Sequence, residues 1–319
     1  MAQDITRRYP SGRGVHDVCL SVRSGTCLAV LGANGSGKTT LTRLVAGLEP
    51  AQRGRMSVLG GPAYPRPSNL RRRCGVALDT PAHWDSLSGR ENLWFFARQY
   101  GLGGSFLPRR VEELLSGADL KAQADEPVAD YSFGMRRKLS IVEAICHDPD
   151  LLVLDEASAG ADAAFLDQLV EWCRRRCDDG KTTWVADRDA AWLSRVGTDA
   201  IMLCDGRIKA AGDVGELMAS VDATNRIEIL LEQDDFTAIP RIPGVEDFDC
   251  QGKRITAQVQ ADQHLPGELL SWIAGCGGRV RSMEIRSATL YEALMKQAKQ
   301  RDREAPSPGR THLGPQALS

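Results

Sequence analysis

Eight residues, GANGSGKT from Gly32 to Thr39, carry the clearest chemical capacity in the chain. Their three glycines let a loop turn tightly with its N–H groups aimed inward, and Lys38 and Thr39 add an ammonium and a hydroxyl. The pattern GxxxxGK(S/T) is complete and lies between an apolar run, TCLAVL, and a helix opening near Lys38. In that context phosphate oxygens meet backbone donors, a helix N-terminus and a cation together. Gly32, Ala33, Asn34, Gly35, Ser36, Gly37, Lys38, Thr39 and Thr40 are the resulting phosphate-binding candidates, with Thr39 suited to ligate Mg2+. A second feature, LLVLDE from Leu151 to Glu156, ends an apolar strand in two carboxylates. The C-terminal ends of parallel strands are where ligands bind in open α/β sheets. There Asp155 is suited to the Mg2+ shell, and Glu156 to orient or deprotonate an attacking water.

A third strand end is less orthodox. Thr182 to Ala186 empties into Asp187, Arg188 and Asp189, a cation between two acids, followed by Ala190, Ala191, Trp192 and Leu193. Read alone, this is a strand-to-helix loop in which Asp187 or Asp189 caps the next helix.

The elements that must position these groups alternate along the chain. Expected strands are Cys27–Leu31, Gly75–Leu78, Leu151–Leu154, Thr183–Ala186 and Ala200–Leu203; expected helices are Lys38–Ala46, Arg90–Gln99, Arg109–Leu115, Met135–Ile145 and Ala163–Arg176. That alternation predicts an α/β domain on a largely parallel sheet. After Gly212 the texture changes to strands at Arg226–Glu232, Val245–Cys250, Arg254–Gln260 and Val280–Arg286, with helices at Gly267–Ala274 and Thr289–Arg303, a small α+β module. The Pro-, Gly- and Ser-rich end, EAPSPGRTHLGPQALS, has the composition of a disordered tail.

With 319 residues, 42% apolar and 26% charged, the chain has the composition of a soluble globular protein. A net charge of −2 argues against a general nucleic-acid surface, so nucleic acid is not an expected partner. No window approaches eighteen consecutive apolar residues, and MAQDITRRYP lacks the apolar core of a signal peptide. The expectation is a cytosolic chain that relies on others for any membrane-spanning helices. Nine scattered cysteines without a CxxC pair suit reduced thiols. Cys173 and Cys177 stand four apart on an expected helix, with no His or third Cys nearby in sequence, which favours packing over metal ligation.

Between the phosphate loop and the acidic pair region sits DYSFGMRRKLSIVEAICHDPD, which resembles the nucleotide-binding subunits of ABC transporters. Their signature, usually LSGGQ, often reads YSxGM in the branch serving drug, antibiotic, sodium and lipid exporters; Ser132 and Gly134 match it. The resemblance spans residues 5 to 212 and implies a P-loop NTPase core with a mostly parallel sheet, an opening antiparallel β region and a helical subdomain at about 80–140. The implied division is an ATP-binding domain at 1–215, a small α+β domain at 220–303 and a tail at 304–319. It further implies ATP and Mg2+ as ligands and a head-to-tail homodimer with two ATP molecules between the subunits. Separate transmembrane permease subunits would hold the protein peripherally at the cytoplasmic face of the cell membrane and perform export.

Single positions carry over from the resemblance. Tyr9 matches the aromatic that stacks on adenine, and Asp162, in AGAD, the acid of a loop that crosses the dimer interface. Where the family has Pro and Thr after the catalytic Glu, this chain has Ala157 and Ser158, and Ala161 replaces the Leu before the Asp. Asp79 occupies the place of a Gln that ligates Mg2+, and remains an oxygen donor. Arg188 aligns with the family's switch His, which contacts the γ-phosphate; a one-residue shift would put Asp187 or Asp189 there instead. Arginine can donate two parallel hydrogen bonds to phosphate but cannot accept a proton. The catalytic candidates are thus Glu156, Lys38 and Arg188, with turnover expected to be slow if Arg and His are not equivalent. Phe133 stands where the signature commonly has a small or polar residue. Trp84, Trp94, Phe95 and Phe96 fall in the segment that docks membrane subunits in the family, and about half of such aromatics are expected in a core. The region 220–300 resembles the C-terminal extension of drug-export ATPases, with Leu290, Ala293, Leu294 and Ala298 on one apolar stripe. Two other readings stay open: a soluble ABC ATPase without transport, and an ATP-sensing dimer.

Overall fold

Apolar runs and amphipathic stretches resolve into twenty-five strands and α-helices in a computed structural model that describes residues 1–80, 82–221, 224–232, 243–260, 265–304 and 311–312. In chain order the first are β1 (Ala2–Arg8), β2 (Gly14–Ser21), β3 (Cys27–Leu31), α1 (Lys38–Ala46), β4 (Arg53–Val58), β5 (Gly61–Pro62), α2 (Ser68–Arg71) and β6 (Cys74–Ala77). Next come α3 (Gly89–Gln99), α4 (Phe106–Gly117), α5 (Phe133–Ile145), β7 (Leu151–Asp155), α6 (Ala163–Asp178), β8 (Thr182–Ala186), α7 (Ala190–Val196), β9 (Asp199–Cys204) and β10 (Arg207–Asp213). The last are α8 (Val214–Ala219), β11 (Thr224–Leu231), β12 (Val245–Gln251), β13 (Arg254–Gln260), α9 (Leu265–Gly275), β14 (Val280–Ser287), α10 (Leu290–Glu304) and β15 (Thr311–His312).

A six-stranded sheet in the order β10-β9-β3-β8-β7-β6 forms the centre of the first unit, residues Met1–Val214 with Gln297–Ser319. Its pairs are parallel except β9 with β10. Every residue of β3 and β7 is buried, which is why both read as apolar runs up to Asp155 at the end of β7. A second sheet, β15-β2-β1-β4-β5, is antiparallel apart from the short β15 pairing. Ile5, Val15 and Val18 of that sheet share one core with Leu28 and Val30 of β3, Leu41 and Leu44 of α1, and Trp184 of β8. The second unit, Gly215–Lys296, holds the sheet β12-β13-β11-β14, with Ile227, Ile229, Ile255 and Val259 packed against Leu269 and Ile273 of α9.

Most expected elements are present with moved ends, and the causes are local. Helix α4 starts at Phe106, not Arg109, because Pro108 lies in the first turn, where a missing N–H costs nothing. Helix α5 starts at Phe133 rather than Met135 because the Ser132 side chain accepts from the Met135 N–H and caps it. Strand β6 stops at Ala77, and the Leu78 carbonyl accepts from Arg137 instead. Strands β4 and β10 were not among the expected elements; their burial is mixed, so neither presents an apolar run. Of the tail expected to be disordered, Thr311–His312 pairs with Leu20 and Ser21 of β2. The fold also supplies the third thiol that sequence proximity did not: Cys27 of β3 lies within hydrogen-bond reach of buried Cys173. Among the described residues, no group of three or more His, Cys, Asp or Glu is arranged to hold a metal ion.

Candidate functional site

The turn from β3 into α1 is made at Gly37, which caps the helix with φ of 106°. A Cβ there would lie 2.7 Å from the Gly14 carbonyl oxygen, so the motif's third glycine is demanded by both conformation and space. Lys38 follows, buried, and its Nζ donates to the carbonyl oxygens of Gly32 (2.7 Å) and Ala33 (3.3 Å). Burial lowers its pKa, opposed by the charges of Glu156 and Asp155 and assisted by Arg188. A cavity of about 390 Å3 opens here, lined by Tyr9, Arg13, Asn34, Gly35, Lys38, Thr39, Thr40 and Glu156 among others. Its size suits a small ligand. Tyr9 is half-buried, its hydroxyl donating to Glu49 (2.7 Å) and its ring lying under the Arg7 guanidinium. Arg13 was not singled out from the sequence, because a lone Arg in a Gly-rich turn gives no signal.

At the end of β7, Asp155 is fully buried and neither carboxylate oxygen has a hydrogen-bond partner. Burial pushes its pKa up to about 6; the nearby Thr39 hydroxyl works against that rise without a bond of normal geometry, while Asp79 and Glu156 reinforce it. An orphaned buried carboxylate beside a hydroxyl and a further acid is a donor set that fits a hard divalent cation such as Mg2+. Asp79 is exposed, with one oxygen accepting from the Thr80 N–H. Glu156 has φ of 55°, a left-handed backbone that turns its side chain away from the strand direction.

The acids flanking Arg188 separate cleanly. Asp187 is buried and accepts from the Ser158 N–H (2.8 Å), the Ser158 hydroxyl (2.7 Å), and the N–H groups of Arg188 (2.7 Å) and Asp189 (3.1 Å). Asp189 caps α7 by accepting from the Trp192 N–H at 3.0 Å. Arg188 reaches Glu156, its Nε 2.9 Å from a carboxylate oxygen. Asp187 is thus held by three backbone N–H groups and the Ser158 hydroxyl, and Asp189 by the Trp192 N–H.

Helix α5 stitches the surrounding loops together. Gly134 packs so closely on the Gly160 carbonyl that a Cβ would sit 2.3 Å from its oxygen, and the Phe133 ring covers Gly160 while staying 59% exposed. Lys138 pairs with Asp162 at 2.5 Å, and Asp162 also caps α6 through the Phe165 N–H. Buried Arg137 donates to the carbonyls of Leu78 and Asp155, beneath the acidic pair. Arg136 pairs with Asp85, and buried His83 joins Glu143 (3.1 Å) and the Arg136 carbonyl (2.9 Å). Burial disfavours the charged imidazole, but Glu143 outweighs it and holds the His83 pKa above its ordinary 6.5; burial likewise holds Glu143 above its ordinary 4.5. Sequence reading missed Arg137, Lys138, His83 and Glu143. The available signal was three successive basic residues in α5, Arg136 to Lys138, and Glu143 among the apolar residues that follow, where charge demands partners. Trp84 and Phe95 are exposed and meet edge to face at 6.0 Å, while Trp94 and Phe96 are half-buried.

A parallel sheet with a phosphate loop at the end of β3 and a carboxylate pair at the end of β7, the next strand but one, defines a P-loop NTPase. Comparison narrows the class. The family described as ABC transporter matches residues 15–159. The chain is 30% identical over 292 residues to the Nod factor export ATP-binding protein I of Cupriavidus pinatubonensis, covering 92% of this chain and 88% of that protein. It is 28% identical over 222 residues to the ABC transporter ATP-binding protein NatA of Bacillus subtilis, covering 68% and 90%. Among solved structures, the ATP-binding subunit of an ABC transporter matches with a TM-score of 0.63 at 28% identity, over 69% of this chain and 91% of that one. A dimeric ATP-binding cassette bound to ADP and Pi matches at 0.60 with 21% identity, over 67% and 97%, a likeness of fold alone. The chain belongs to the ABC transporter family, as an ATP-binding subunit with the ATPase activity of that family, and the Nod factor relative is by its name an export protein. No helix among the described residues is long and apolar enough to cross a membrane.

Proposed function

We propose that two copies of this chain close head to tail on two ATP molecules and, through separate membrane subunits, drive export. One observation carries the reading: the cavity beside the phosphate loop is lined by Tyr9, Lys38, Thr39 and Glu156 but by none of Ser132, Phe133 and Gly134. The signature end of α5 serves this site only if a second chain brings it. Tyr9 covers the base, residues Gly32 to Thr40 hold the phosphates, and Ser132 and Gly134 offer a helix N-terminus to the γ-phosphate across the interface. Asp162 belongs to the same interface.

Thr39 and Asp155, with Asp79 beyond them, are the residues that would hold Mg2+, and the orphaned oxygens of Asp155 support that assignment. When bound there, the ion would neutralise charge on the phosphate oxygens. Glu156 orients the attacking water and accepts its proton as the new P–O bond forms and the bond to the ADP oxygen breaks, ADP leaving with that electron pair. Lys38 shifts from the loop carbonyls to the phosphates. Arg188 supplies fixed positive charge where the family has a His, and turnover is slow for want of that His. The exposed Trp84 and Phe95 suit docking of a membrane subunit, which would hold the protein at the membrane's cytoplasmic face.

The test is ATP-dependent dimerisation and turnover of the purified chain. Glu156→Gln should lower Mg2+-ATPase activity about a hundred- to ten-thousand-fold and shift the chain from monomer to dimer in light scattering when ATP is added. A Glu156→Gln chain that stays monomeric at saturating ATP would overturn the head-to-tail site, and recovery only with soluble partners after detergent extraction would overturn the transport role.

A further inference from the structure

The Arg188–Glu156 pair sets two required groups against each other. The Arg188 Nε donates to Glu156 at 2.9 Å, and among the described residues the Glu156 carboxylate accepts no other side-chain hydrogen bond. A carboxylate oxygen that already accepts from a guanidinium is not free to accept from a water. Hydrolysis therefore needs an event that takes Arg188 off Glu156. The pair is built to come apart: the Arg188 side chain is 55% exposed, and an ion pair so solvated is worth about fivefold at most in equilibrium. Its root, by contrast, is fixed, since the Arg188 N–H donates to buried Asp187 at 2.7 Å. Only the side chain has to swing. It has somewhere to go, because Glu156 lines the same cavity as Lys38, and the Arg188 charge is close enough to Lys38 to depress its pKa. A γ-phosphate in that cavity would offer several oxygens and more than one negative charge, the geometry a guanidinium binds in two parallel bonds.

We propose that Arg188 is a latch on Glu156 that the γ-phosphate of ATP opens. With the site empty or holding ADP, Arg188 stays on Glu156 and keeps it from the water. With ATP, Arg188 transfers to the γ-phosphate, Glu156 is released as the base, and the chain gains a preference for ATP over ADP. A neutral side chain at this position could not be handed between two anions in this way; a permanent cation can. Asp187 is the positioning residue. The inference rests on the cavity being the ATP site.

Equilibrium binding of ADP and of the β,γ-imido analogue of ATP, both with Mg2+, tests it. Arg188→Ala should weaken the analogue about tenfold and ADP less than twofold, with Arg188→Lys in between because a point charge lacks the paired geometry. Glu156→Gln should tighten the analogue several-fold by removing the competing anion, and most of that gain should vanish in the Arg188→Ala background. Thermal melts within a few degrees of wild type show that each variant is folded, and Arg188→Lys serves if Arg188→Ala is not. Equal effects on both nucleotides, or a Glu156→Gln gain that is the same with and without Arg188, would overturn the latch. A wild-type chain that binds neither nucleotide would instead overturn the site on which it rests.

Discussion

Asp155 and Asp187 end neighbouring parallel strands almost side by side, since Asp155 pairs in register with Ala186. Both are buried, at 0% and 1% exposure. Asp155 has no hydrogen bond to either oxygen, whereas Asp187 accepts four. Burial alone thus says little about what an acid does. A buried carboxylate without donors costs stability and persists for a partner that arrives later; one saturated by backbone donors holds the loops that carry other groups. The first is read as a ligand, the second as a brace joining the loop after Glu156 to the loop carrying Arg188.

The largest effect that could break this contrast is at Asp155. Asp155→Asn should cut Mg2+-ATPase activity about a hundred- to a thousand-fold. Yet the metal-free protein should be no less stable, and by about 1–3 kcal/mol more stable, because an unpartnered buried charge has been removed. Thermal denaturation in EDTA reads the stability, and a clear loss there would mean that Asp155 has partners in the folded chain after all.

Asp187→Asn should do the opposite. Its amide group would point N–H donors at N–H donors, leaving at least one buried group unpaired at about 1–3 kcal/mol. In a domain of this size that lowers the melting temperature by roughly 2–4 °C per kcal/mol. ATPase activity should fall as well, since Arg188 loses its anchor, but by less than at Asp155. Unchanged stability would remove the distinction between the two acids.

How much of this was legible beforehand follows the same division. Residues that wait for a ligand announce themselves through spacing: Gly32 to Thr39 and the pair Asp155–Glu156 could be found because phosphate and metal chemistry needs those types in that order. Residues that brace the site did not. Nothing in VADRD tells Asp187 from Asp189, since which acid turns inward depends on where Ser158 lies in space. Arg137 and the His83–Glu143 pair were hidden for the same reason, their partners being more than fifty residues away or on another strand's backbone. Strand β3 was legible from burial on both faces, while β4, with no fully buried residue, was not. Periodicity reports the solvent boundary, and contacts across the fold leave no trace in it.

The smallest effect is at Asp189, and it bounds the contrast from the other side. Its carboxylate accepts from the Trp192 N–H at 3.0 Å and starts α7, a helix of seven residues. Losing such a cap costs about 1 kcal/mol, so Asp189→Ala should lower the melting temperature by a few degrees. Turnover should stay within about twofold, because Arg188 is anchored through Asp187 and its own side chain reaches Glu156 without Asp189. Steady-state ATPase assays on both single variants decide it. If Asp189→Ala slows turnover as much as Asp187→Asn does, the loop's function would lie in its charge pattern as a whole and not in one buried brace.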